Sequence, residues 1–288
     1  MAGVDSGDDL RRWIEALIAF VLGGGGLLGA VEVGMLQALL EAGIRPDLVV
    51  GSSVGAINGA AVAADPSVAT IARLAQMWER LGHRAVFAEG PVGRLVTLAR
   101  SGTHLHGSSG LRSLLEEYAQ GRLIQELAVP FQCVAACVET AGAHWFRDGP
   151  VAEAVLASCA VPGLLPPVLI QGRHYVDGGL VHSIPVGRAV QLGATTIYVL
   201  QVGRIERPLT SPRWPWEVGM VAFEIARRHR FTEEMASLPD DLEVVVLPSG
   251  DLAAPLANLR YRSTSQVGTR IATAYEASRA HLQSAERR

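Results

Sequence analysis

Ser53 stands in Gly51-Ser52-Ser53-Val54-Gly55, a G-x-S-x-G pentapeptide. A serine in this pattern is a candidate nucleophile for acyl transfer when a strand leads into it and a helix leads away. Both are expected here. Residues 45–50 end in the apolar run Leu48-Val49-Val50, and residues 54–64 are small and apolar, which predicts a buried helix. At the first turn of such a helix the free N–H groups favour developing negative charge. The other reading of Ser53 is a tight turn in which its hydroxyl only caps the helix.

A second chemical feature lies upstream. Gly23-Gly24-Gly25-Gly26-Leu27-Leu28-Gly29 joins an apolar strand at 18–22 to a helix at 30–42. Val33, Leu36, Leu39 and Leu40 give that helix an apolar face, and Gly43 ends it. A glycine run at a helix N-terminus presents backbone N–H groups to an anion, either a cofactor phosphate or the oxyanion of a tetrahedral intermediate. Gly24-x-Gly26-x-x-Gly29 also fits the dinucleotide fingerprint, which needs an acidic residue at the end of the second strand. Gly51-Ser52-Ser53 occupies that place, and Asp47 precedes the strand, so nucleotide binding is not expected. The glycine run and the serine turn follow consecutive strands. They should lie side by side at the C-terminal edge of a parallel sheet.

A serine nucleophile needs a base. None of the eight histidines sits in a convincing catalytic setting. His182 comes nearest, but it shares one loop with Asp177, whereas Ser-His-Asp hydrolases draw acid and histidine from separate loops. Asp177 follows the strand-like triplet His174-Tyr175-Val176 and precedes Gly178-Gly179. It could reach a hydroxyl directly, or it could be the aspartate of an ordinary Asp-Gly turn.

Taken in this order, the glycine run, the serine pentapeptide and Asp177-Gly178-Gly179 resemble the patatin-like phospholipase family. Ala157-Ser158-Cys159-Ala160-Val161-Pro162-Gly163 and Pro166-Pro167 agree with its pattern, and the likeness runs over residues 18–202. The resemblance implies hydrolysis of lipid acyl esters by a Ser-Asp dyad without histidine. Ser53 would be the nucleophile, Asp177 the base, and the amides of Gly24, Gly25 and Gly26 the oxyanion hole. Gly29, Gly51, Gly55, Gly178 and Gly179 complete the motifs. No metal or organic cofactor is called for. One position departs: Leu28 stands where the family commonly carries Arg or Lys. That predicts a weaker dependence on an anionic head group and acceptance of neutral acyl esters. Two other readings stay open, a Ser-His-Asp esterase using His182 and a non-catalytic acyl- or lipid-binding protein on the same fold.

The elements that must position these groups predict one α/β domain, with a mixed, mostly parallel central sheet flanked by helices. Residues 18–202 form its patatin-like core, 203–288 complete the same domain, and 1–13 are a flexible acidic N-terminus. Further helices are expected at 67–81, 185–192 and 263–282, and strands at 131–138, 144–147, 196–202 and 242–247. Residues 89–110, rich in Gly, Ser and Thr, read as a lid or entrance loop. Val161, Leu164, Leu165, Val168 and Ile170 are the candidate apolar wall that would raise the pKa of Asp177. In 207–235, prolines and tryptophans precede a helix carrying Val218, Val221, Phe223 and Ile225, then Arg227, Arg228 and Arg230. Such a helix can dock at a lipid interface. The favoured reading is a helix packed on the domain with solvated arginines, because Glu217, Glu224, Glu233 and Glu234 dilute the basic face.

Composition excludes some classes. The 288 residues are 49% hydrophobic and 18% charged with a net charge of −3, which supports a large core and gives no basis for nucleic-acid binding. Cys133, Cys137 and Cys159 lie in apolar surroundings and read as buried thiols, with no second pair to complete a zinc site. Nothing at the N-terminus reads as a signal peptide and no segment is long enough to span a bilayer, so a cytoplasmic protein is expected, with peripheral membrane contact open.

Overall fold

The computed structural model describes residues 17–83, 104, 106–202, 208–213, 215–239, 241–250 and 267–285. At its centre lie the strands β1 (Ile18–Leu22) and β2 (Leu48–Ser52). Their sequences IAFVL and LVVGS are near-continuous apolar runs, as strands covered on both faces must be. β3 (Phe131–Cys137) lies parallel beside β2, while β7 (Thr196–Leu200) and β8 (Glu243–Val246) extend the sheet in parallel on the far side of β1.

Helices cover both faces. α1 (Ala30–Glu41) follows β1, α2 (Val54–Ala64) follows β2, and α3 (Val68–His83), α4 (Ser109–Ala119) and α5 (Val151–Ser158) come next in the chain. Phe20, Leu22 and Val49 point to the face where α1, α2, α3 and α5 build the larger core. α8 (Val267–Ala285) joins them there through Val267, Ile271, Ala274 and Leu282. Ala19, Val21 and Val50 point the other way, onto α6 (Val186–Gln191), with Phe231 and Met235 of α7 (Pro215–Ala236) at the margin. This alternation is the period-two signature of a strand. Among the described residues no helix is long and apolar enough to cross a membrane.

Three antiparallel strands make the sheet mixed: β4 (Gly142–Phe146), β5 (Val168–Ile170) and β6 (Arg173–Asp177). Among the described residues, four of the seven strand pairings are parallel. β5 is a strand that sequence periodicity did not distinguish from a loop wall, since it is only three residues long.

The registers on β3 bring the site together. β4 pairs with Cys133 to Cys137 along one edge of β3. β2 and β6 must therefore share the other edge. There Ser52 stands opposite Val134 and Asp177 opposite Ala135. β2 runs parallel to β3 and β6 antiparallel, so their C-terminal ends meet head to head. Ser53 and Asp177, 124 residues apart in sequence, are neighbours because adjacent residues of β3 fix both strand ends.

Some expectations shift at element boundaries. Ser109 and Gly110 open α4, and most of the loop expected at 89–110 falls outside the described residues, as do 1–13 and 263–266. α3, the helix expected at 67–81, carries Ile71, Leu74, Met77 and Trp78 into the core.

Candidate active site

Ser53 sits at φ 53°, ψ −124°, a conformation costly for any residue with a Cβ. The strain is held from both sides. Its N–H donates to Ser158 Oγ at 2.8 Å, and Ser158 in turn donates to the Val134 carbonyl at 2.6 Å. Gly55 allows the tight turn: a Cβ there would lie 2.3 Å from the Leu22 carbonyl oxygen. The Ser53 hydroxyl makes no capping bond to the helix it begins. It donates instead to Asp177 Oδ2 at 2.6 Å. The capping reading of Ser53 is thereby replaced.

Asp177 closes β6. Its N–H donates to the Ala160 carbonyl at 2.9 Å, and its Oδ1 accepts the Gly179 N–H at 2.7 Å. It is 1% exposed. Burial pushes its pKa up to about 6, against the opposing pull of the hydrogen bonds from Ser53 and Gly179. Ala135 opposite it and Ala160 beside it are buried, and Asp177 helps to push the buried Cys159 thiol up. The candidate apolar wall is unevenly buried. Leu165 and Val168 are buried, Val161 and Ile170 are half-buried, and Leu164 is 41% exposed.

The glycine run lies against the serine. A Cβ on Gly24 would stand 3.3 Å from Ser53 Cβ. The Gly24 N–H, however, donates to the Ser183 carbonyl at 2.8 Å, so it is not open to a ligand. The Gly25 and Gly26 amides donate to no described residue, and exposure rises from Gly24 to Gly26. Of the three amides expected as donors, these two have no described acceptor. Leu28 does not line the site. It is 6% exposed and packs in the core, behind the loop.

His182 goes elsewhere. Its Nδ1 lies 2.7 Å from Glu234 Oε1 on α7, and its ring packs on Trp145. Asp47 donates its N–H to the Ile18 carbonyl and accepts the Ile18 N–H at 2.9 Å, which ties β1 to β2 at the sheet edge remote from Ser53. The three cysteines are free and buried, and no metal-ligand cluster occurs among the described residues. A cavity of about 330 Å³ between α2, α3, α4 and α5 touches neither Ser53 nor Asp177.

Several positioning groups escaped the sequence reading. Ser158 looked like one small residue among others. Asn58 and Glu32, polar residues inside apolar helices, were the legible signal. Asn58 Nδ2 donates to the Gly29 carbonyl at 2.9 Å and to Glu32 Oε2 at 2.8 Å, and Trp78 Nε1 donates to Asn58 Oδ1. Burial holds the Glu32 carboxyl well above the usual carboxylate range. This network braces the end of the glycine run. Arg227, expected to be solvated, is 5% exposed and donates to the Gly24 carbonyl at 3.2 Å.

The arrangement can move a proton from a serine hydroxyl to a carboxylate beside two amides that have no acceptor among the described residues. The chain matches the patatin-like phospholipase family over residues 20–190. It is 31% identical to patatin-like phospholipase domain-containing protein 7 of Rattus norvegicus, over 67% of this chain and 14% of that protein. It is 32% identical to lysophospholipase nte1 of Emericella nidulans, over 68% of this chain and 12% of that protein. The chain thus spans only a small part of these relatives. Among solved structures, VipD from Legionella pneumophila aligns with a TM-score of 0.49 and 15% identity, over 94% of this chain and 67% of that chain. With more than half of its length matched to one family, this chain belongs to the patatin-like phospholipases.

Proposed function

We propose that the protein is a lipid acyl hydrolase in which Ser53 is the nucleophile and Asp177 its base. The observation that carries this reading is the 2.6 Å hydrogen bond from Ser53 Oγ to Asp177 Oδ2 with no histidine between them. Ser53 Oγ attacks the ester carbonyl as its proton passes to Asp177. The amides of Gly25 and Gly26 stabilise the oxyanion, the alcohol leaves with the proton, and water hydrolyses the acyl-enzyme by the same route. Concerted transfer matters, because a free carboxylate is far too weak a base to ionise a serine.

A lipid substrate is supported by family membership and by a lysophospholipase among the relatives. The outward face of α7 adds a physical reason. Val218 and Ile225 are each 54% exposed and Ala222 lies between them, while Leu164 and Leu180, near the residues that bury Asp177, are also exposed. These side chains suit contact with a lipid surface.

Labelling by a fluorophosphonate probe, together with hydrolysis of a lysophospholipid and a neutral ester of equal acyl length, tests the reading. Wild type should label and turn over, and Ser53→Ala should do neither while keeping its circular dichroism spectrum. Hydrolysis that survives in Ser53→Ala would remove Ser53 from the chemistry.

A further inference from the structure

The glycine run carries no charge of its own, being glycine and leucine from residue 23 to 29. A cation nevertheless reaches it from α7, 203 positions later in the chain. Arg227 Nη1 donates to the Gly24 carbonyl oxygen at 3.2 Å. Its Nε and Nη2 hold the two carboxylate oxygens of Glu224 at 2.9 and 2.8 Å, and Arg228 Nε donates to the same carboxylate at 2.8 Å. Burial pushes the Glu224 carboxyl up, but the two arginines outweigh it and leave it below its ordinary value. The fork therefore stays charged, and bidentate pairing fixes the guanidinium plane.

A buried ion pair of this kind is a poor source of stability, since desolvation offsets most of the attraction. Its position is more telling than its energy. The Gly24 carbonyl and the Gly25 N–H belong to one peptide unit, and in a trans peptide they point in opposite directions. A cation seated on that oxygen turns the Gly25 N–H the other way and withdraws electron density from it. Hydrogen bonds in series strengthen one another in this manner. The peptide is also held at its near end by the Gly24 N–H on the Ser183 carbonyl, and a Cβ on Gly24 would lie 3.3 Å from Ser53 Cβ. The Gly25 N–H itself has no acceptor among the described residues.

We propose that Arg227 is a positioning residue of the oxyanion hole, aiming and polarising the Gly25 amide through the Gly24–Gly25 peptide. This rests on the Ser53–Asp177 reading above. It also gives the part of the chain beyond the family match, which ends at residue 190, a direct role in the site.

The test compares Arg227→Met and Arg227→Lys with wild type, with Arg230→Met on the exposed side of α7 as control. Arg227→Met leaves Glu224 paired with Arg228, which limits the structural damage. Removing an oxyanion donor outright costs about 10²–10³-fold, so weakening one through its peptide should lower kcat by about 10–100-fold. KM should stay within about threefold. Arg227→Lys, which keeps the charge, should recover much of the loss, and Arg230→Met should match wild type. The second readout is inhibitor affinity. A trifluoromethyl ketone adds to the serine as a tetrahedral oxyanion, and its affinity should fall in step with kcat. The corresponding alcohol, which forms no oxyanion, should bind as to wild type. Equal losses for ketone and alcohol, or a lower kcat only where the melting temperature also collapses, would reduce Arg227 to a packing role. An active wild type with an equally active Arg227→Met overturns the role of Arg227 alone. A wild type inert to probe and esters overturns the hydrolase reading and this role with it.

Discussion

As the proposed base, Asp177 would have to be buried enough to have a raised pKa and yet ionised when it accepts a proton. A pKa of about 6 meets both demands at neutral pH. Under the proposed mechanism kcat/KM should therefore rise with pH through an acid limb near 6, readable in a pH–rate profile. Asp177→Asn should cost on the order of 10²–10⁴-fold, whereas His182→Ala should leave most activity, because His182 is paired with Glu234. A stability consequence has the opposite sense to activity. The native pKa lies above the ordinary aspartate value, so the folded state binds more protons and wild type loses stability as pH climbs from about 4 to 6. Asp177→Asn has no such term. Its stability relative to wild type should improve across that window by an amount on the order of 3 kcal/mol and level off above it, as calorimetry at several pH values would show. The types and order of Ser53 and Asp177 were legible from their motifs. That Gly24 spends its amide on Ser183 was not, because a glycine's sequence says nothing about which neighbour takes its N–H.

At the scale of elements, α7 departs most from its pattern. A helix with valines, a phenylalanine and an isoleucine would ordinarily turn them inward and its arginines outward. Here Glu224 and Arg227 are buried and Arg227 meets the glycine run, while Val218 and Ile225 face solvent. Periodicity could not reveal this, since it shows that residues share a face and not which face is buried. Ile225→Glu should weaken binding to phospholipid vesicles in a sedimentation assay while hydrolysis of a short soluble ester is unchanged. The glycine run carries a second correction. Leu28 stands where a cation could have met a phosphate, but it packs into the core. Leu28→Arg is thus expected to destabilise the fold by roughly 3 kcal/mol, as an unpaired buried charge does, before it alters head-group preference. Denaturant unfolding measures the first effect and paired kcat/KM values the second.

The whole molecule depends on residues beyond the family match. β8 pairs with β7, and α8 lies so close on α1 that a Cβ at Gly34 would come within 2.1 Å of the Ile271 carbonyl oxygen. Tyr275 adds a 2.6 Å hydrogen bond to Glu41. A chain ended after Val202 would expose the face of α1 that α8 covers and would lack Arg227. It should show no cooperative thermal transition by circular dichroism and no probe labelling. The parallel strands were legible because strands buried on both faces read as unbroken apolar runs. The antiparallel side was less so. β5 is short, and the meeting of β2 with β6 depends on long-range register, to which local pattern is blind.

That register gives β3 the character of a ruler. Ser53 and Asp177 are each measured against it, at adjacent graduations, and the chain between them takes no part in the measurement. Lengthening the β3–β4 turn at Ala141, beyond the end of β3, should leave the proposed esterase activity intact. Inserting one alanine between Val134 and Ala135 touches neither Ser53 nor Asp177. It would separate the two strand ends by one residue step, about 3.4 Å, and turn one of the two partners toward the other face of the sheet. Such a protein would keep all of its chemical groups and lose the distance between two of them, and esterase activity should disappear with it.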